Sequence, residues 1–122
     1  MTIEKGGIYW IEFPPLEKGG SSVPHPHVVI QDTVINQSRI DTVVVCGITT
    51  NMKKRTWPGN VPLETGEANL PKRSLVDVSQ VAAVSKELLG EYIGRLSDRR
   101  LEQIFEGMRL VQSLSHRQVI EE

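Results

Sequence analysis

A chain of 122 residues with 14 Lys and Arg against 15 Asp and Glu has room for one core, and its net charge of −1 excludes a general polyanion binder. Its single cysteine, Cys46, excludes an intrachain disulfide and lies in the apolar run TVVVCGIT, where a free thiol is expected as core filler. No stretch approaches the roughly 20 apolar residues of a membrane span, and MTIEKGGIYW lacks a secretory leader's apolar core, so a cytoplasmic protein with no membrane partner is expected.

The first predicted element is the strand IYWIEF (8–13), with Ile8 and Trp10 on one face, Tyr9, Ile11 and Phe13 on the other, and Pro14-Pro15 ending it. LEKGGSSVPHP (16–26) has the turn-forming composition of a loop. HVVIQD (27–32) is the second strand, and the polar TVINQSRI leads into DTVVVCGITT (41–50), whose unbroken apolar run suits a strand covered on both faces. A basic loop, NMKKRTWPGN (51–60), presents Trp57 and precedes a short strand VPLET (61–65). After the loop GEANLPKR, SLVDVSQVAAVS (74–85) alternates as a strand, and SKELLGEYIGRL holds at most a turn of helix. Ser97 is the expected N-cap of a final helix, on which Leu101, Ile104, Phe105, Met108, Val111 and Leu114 form one stripe. The pattern predicts a mainly β domain over 1–115, a small barrel or coiled sheet closed by a C-terminal α-helix, with 116–122 fraying. So much apolar surface on short strands and one helix also predicts a homodimer.

Three scattered histidines, with no HExxH and no paired cysteines, supply no metal motif, so neither a metal nor a cofactor is expected. GGSS is not followed by the Lys-Ser/Thr of a phosphate-binding loop, and no GxSxG elbow is present. What remains is a cluster of loop residues. If the second and third strands are antiparallel neighbours, His25 and His27 at the start of one lie beside Thr49 and Thr50 at the end of the other, with Lys53, Lys54, Arg55 and Trp57 close by. Imidazoles, a hydroxyl and cations suit attack of an RNA 2′-hydroxyl on its neighbouring phosphodiester, which needs a base, an acid and donors for the developing charge. The same residues also suit a polar strand entry and a solvated basic loop, and the residues alone leave both readings open.

Order and spacing along nearly the whole chain resemble the MazF/PemK family of bacterial toxins. KGGIYWIEFPP is similar to the family's opening strand, PHVVIQD to its second strand, TVVVCGITTN to the strand ending in an Ile-Thr pair, and PGNVPL, LPKRSLVDVSQV and LGEYIGRLSDRRLEQI follow in family order. The resemblance implies a small SH3-like barrel of the CcdB/PemK type. It also implies a homodimer, a cognate antitoxin, and a metal-independent, sequence-selective endoribonuclease that cuts single-stranded RNA to a 2′,3′-cyclic phosphate and a 5′-hydroxyl. The family's catalytic threonine maps onto Thr49, and its catalytic arginine position is His25 here. Its acidic position in the opening strand is Gly7, its Gly-Ser-Glu loop becomes Gly20-Ser21-Ser22, and the fifth-strand glutamine is Gln80. The expected site is therefore catalytic His25 and Thr49, with Ser21, Ser22, His27, Lys53, Lys54, Arg55 and Gln80 contacting RNA. Histidine in place of a fixed guanidinium leaves two outcomes: catalysis with a sharper pH dependence, or a non-catalytic protein that binds antitoxin, RNA or gyrase.

Overall fold

In the computed structural model, which describes residues 2–15, 19–20 and 22–113, the run GIYWI forms β1 (Gly7–Ile11). It pairs antiparallel with β2 (His25–Val29), Ile8 facing Val28 and Ile11 facing His25. The second strand thus starts two residues earlier than the apolar run suggests. Pro26 is tolerated there because β2 meets β3 (Thr42–Thr49) only from His27 onward, so its missing N–H costs no ladder bond on that side. Between them lies a one-turn helix, α1 (Thr33–Asn36), capped by the Asp32 side chain at 2.9 Å from the Val34 amide.

The basic stretch expected as a loop winds into a 3₁₀ turn, Met52–Thr56, with Asn51 accepting from the Lys53 amide. Of VPLET only β4 (Val61–Pro62) is strand. A second 3₁₀ turn spans Glu67–Asn69, and the long β5 (Leu75–Ser85) follows as expected. The segment SKELLGEYIGRL contains, besides a 3₁₀ turn at Lys86–Leu88, a strand that its composition conceals: β6 (Tyr92–Arg95) pairs with the open edge of β1. The six strands make one curled antiparallel sheet, a half-barrel, in the order β4-β5-β3-β2-β1-β6.

Both faces of the sheet carry a core. One holds Ile8, Val28, Cys46, Ile48, Val76 and Val78 beneath α2 (Asp98–Ser113); the other holds Tyr9, Ile11, Val29, Val43, Val45 and Val84. The alternation read for β1 is therefore the alternation observed, and β3 is covered on both faces as its unbroken apolar run suits. Ser97 caps α2, its hydroxyl accepting from the Arg100 amide at 3.2 Å. Leu101, Ile104 and Met108 are buried, contributing about 1.5–3 kcal/mol each. Phe105 and Val111 are exposed instead, because α2 meets the sheet along a narrow line over β4 and β5. At position 107 that line has no room for a side chain: an added Cβ would strike the Gly59 carbonyl, and one on Gly59 would lie 2.6 Å from the Gly107 carbonyl. Leu114 and the expected fraying at 116–122 lie outside the described residues.

Candidate functional site

The pairing of β3 with β5 contains the irregularity that makes a site. Cys46 faces Val81 and Ile48 faces Val76, so the single residue Gly47 is opposed by the whole stretch Asp77 to Gln80. The bulge bends β5 outward, and Gly47 permits it, since a Cβ there would sit 3.1 Å from that of Gln80. Its freed backbone groups find side chains. Asn60 accepts from the Val78 amide at 3.0 Å, and the Cys46 thiol donates to the Asp77 carbonyl at 3.2 Å. Cys46 is thus buried as expected, and burial together with the nearby Asp77 charge pushes its thiol up to about 12, leaving no thiolate for chemistry.

Beside the bulge lies a cleft of about 320 Å³ lined by Phe13, His25, His27, Gly47, Ile48, Thr49, Lys54, Asp77 and Gln80. The antiparallel register of β2 and β3 sets His27 against Gly47, and carried two residues further it brings His25 level with Thr49. The half-buried Thr49 hydroxyl accepts from the Asn51 amide at 3.1 Å, which leaves its own proton free to donate. His27 is 9% exposed, packs edge-on against Phe13 at 5.3 Å, and bonds through Nδ1 to the His25 carbonyl at 2.9 Å. A carbonyl only accepts, so Nδ1 carries the hydrogen and Nε2 keeps its lone pair in the neutral ring. Burial pushes His27 below the usual histidine range; the Nδ1 bond opposes this and the neighbouring His25 adds to it.

Lys54 reaches in from the basic turn and meets Asp77 at 3.0 Å, with its ammonium also 5.0 Å from the Trp57 ring centroid. Burial alone would raise the Asp77 carboxyl, but bonds from Ser79 and Lys54 outweigh it and hold the group below the usual carboxylate range. Of the residues expected from sequence, the cleft collects His25, His27, Thr49, Lys54 and Gln80. Lys53 and Arg55 are exposed on the same turn and do not line it; Ser22 bonds Glu12 at 2.7 Å instead; Ser21 lies outside the described residues. Among the described residues no three His, Cys, Asp or Glu side chains converge as a metal ion would require.

A family model described as PemK-like, MazF-like toxin of type II toxin–antitoxin systems matches residues 4–112. The chain belongs to this toxin family. It is 31% identical over 114 residues to endoribonuclease MazF2 of Mycobacterium bovis, covering 93% of this chain and all of that one. With endoribonuclease EndoA of Bacillus subtilis it shares 22% over 110 residues, 90% of this chain and 94% of the relative. In structure it is similar to a MazE–MazF crystal structure from Deinococcus radiodurans, with a TM-score of 0.77 at 16% identity over 94% and 99% of the two chains. It is similar too to a mycobacterial endoribonuclease solved with its cognate antitoxin, with a TM-score of 0.71 at 20% identity over 91% and 95%. The half-barrel with its terminal helix is thus the MazF fold. Within it, sequence reasoning missed Phe13 and Asp77 as cleft residues: Phe13 reads as the last residue of a strand and Asp77 as part of an alternating one.

Proposed function

We propose that this MazF-family protein is a metal-independent, sequence-selective endoribonuclease of single-stranded RNA, working as a homodimer controlled by a cognate antitoxin. The observation that carries it is the meeting, in one cleft, of two imidazoles, a hydroxyl with a free proton and a cation held in place. In this reading the neutral His27 takes the 2′-hydroxyl proton on Nε2 as the 2′-oxygen bonds to phosphorus. The bond from phosphorus to the 5′-oxygen breaks, and protonated His25 gives that oxygen its proton, leaving a 2′,3′-cyclic phosphate and a 5′-hydroxyl. Thr49 donates to a non-bridging oxygen and Lys54 offsets the charge that develops there. Gln80, exposed at the bulge, offers an amide to a base edge. A homodimer is supported by the exposed Phe105, Leu110 and Val111 on α2, which this chain alone leaves uncovered.

Cleavage of a long single-stranded RNA in EDTA from pH 5 to 9 tests the reading. Cutting should leave cyclic-phosphate ends and fall about 10²-fold or more in His27→Ala, His25→Ala and Thr49→Ala. The base must be neutral to act. With His27 held below the usual histidine range, the acid limb of the pH profile should therefore lie below about 6.5. A folded protein that cuts no RNA at any pH would overturn the reading in favour of a non-catalytic binding protein.

A further inference from the structure

We infer that Asp77 is a positioning residue: its buried carboxylate fixes the Lys54 ammonium in the cleft as the site's rigid phosphate-binding cation. The inference rests on the cleft being an RNA site, as proposed above, and goes beyond it by assigning a role that neither histidine can fill.

The Asp77 side chain is 2% exposed, in a strand whose neighbours Val76 and Val78 belong to the core. An ionised group in such a place is costly unless its bonds are complete. They are shared out between the two oxygens. Oδ1 accepts from the Ser79 amide at 3.2 Å and the Ser79 hydroxyl at 2.7 Å, which ties it to the bulge of its own strand. Oδ2 accepts from Lys54 Nζ at 3.0 Å. The Lys54 backbone is tied to the same bulge, for Asn60 donates to the Lys54 carbonyl at 3.0 Å while accepting from Val78. Side chain and main chain of Lys54 are thus both referred to one piece of β5.

An ammonium has three protons, and Asp77 takes one. Lys54 lines the cleft with His25, His27 and Thr49, so its remaining donors are available to a phosphate oxygen there. A lysine on four free torsions is a diffuse charge; this one is held by a carboxylate and by the Trp57 ring. Lys53 and Arg55, on the same turn, are exposed and have no ion-pair partner among the described residues. They contribute field, whereas Lys54 contributes a located donor. With His25 where a guanidinium is expected, and its imidazole giving up a proton in the reaction, a cation that stays charged and in place is what the cleft would otherwise lack.

A purely structural pair would behave differently, since a buried ion pair can be replaced by apolar residues of similar shape without loss of the fold. The test uses Lys54→Met/Asp77→Leu, which leaves net charge unchanged, beside Asp77→Asn. First, affinity for a non-cleavable 2′-O-methyl single-stranded RNA is measured from 50 to 300 mM salt as ordinary titration conditions. Losing one phosphate contact should lower the slope of log affinity against log salt by about 0.7 in the double variant. Second, kcat and KM are measured on cleavable RNA. Asp77→Asn removes a negative charge from an RNA cleft, yet kcat should fall about tenfold or more with KM unchanged or lower, because the cation is misplaced. An unchanged salt slope in the double variant, or wild-type kcat in a folded Asp77→Asn, would overturn the inference. A wild-type protein that binds the RNA without cutting it would sink the nuclease reading alone. The salt slope of the double variant would still decide whether Lys54 contacts a phosphate, and an Asp77→Asn slope equal to that of the wild type would still overturn the role of Asp77.

Discussion

Two partly buried ion pairs show how the same attraction serves closure in one place and leaves an opening in the other. Arg100 on α2 grips Glu67 with a fork, Nε to Oε2 at 2.8 Å and Nη2 to Oε1 at 3.0 Å, and its third nitrogen meets Gln103 at 3.0 Å. The Glu64 amide completes the Glu67 carboxylate at 2.8 Å. Every guanidinium nitrogen is used, and the result is a clasp between helix and turn. Lys54 and Asp77 share one bond, with the acid saturated and the cation left with protons to spare. A planar donor set fits a finished joint; a compact ammonium fits a joint that has still to meet a ligand.

Removing one partner from each pair breaks the comparison most directly. Lys54→Ala leaves the Asp77 carboxylate buried and without its cation, and should cost about 3 kcal/mol in a urea melt at pH 7. Arg100→Ala should cost less, about 2 kcal/mol, because Glu67 is 21% exposed and water can take the vacated positions; its kcat should remain that of the wild type. Acid sharpens the contrast further. Both carboxyls are held below their ordinary values of 4.5 and 3.8, so each stabilises the fold fully above that value and loses the contribution as pH falls through its lower folded value. The wild-type urea midpoint should therefore drop on acidification below about pH 4, and Arg100→Ala should lose less over the same range, its Glu67 being less depressed without the guanidinium. Smallest of all is Cys46→Ala, which removes one thiol bond beneath the bulge: about 1 kcal/mol of stability, with kcat unchanged.

What could be read from the chain was whatever depends on near neighbours. The two-residue period of IYWIEF, the apolar run before Gly47, the Ser97 cap and the Leu101–Ile104–Met108 stripe each announce an element because the periodicity is local. Strand β6 announces nothing: its pattern is half exposed, and it is a strand because β1 offers an unpaired edge, a fact of tertiary structure. The site divides in the same way. His25 and Thr49 were brought together by one assumption, that β2 and β3 are antiparallel neighbours, and they do line one cleft. Asp77 escaped because VDV inside an alternating run looks like an ordinary strand, and only the unequal pairing opposite Gly47 turns that carboxylate towards Lys54. Of the run KKR, a 3₁₀ turn sends only the middle residue inward, which charge counting along the sequence does not reveal.

The contact of Gly59 with Gly107 has a consequence for how this protein can vary. Packed joints between side chains drift easily, one rotamer or methylene at a time, because neighbours can compensate. Here main chain rests on main chain, and Gly59 is bound besides by a φ of +81°. No second substitution can make room for a first. In a library carrying every single substitution, positions 59 and 107 should stand out as a linked pair of silent columns, the second on a helix whose exposed neighbours vary freely. They would mark where the joint between α2 and the segment leading from the basic turn is cast rather than fitted.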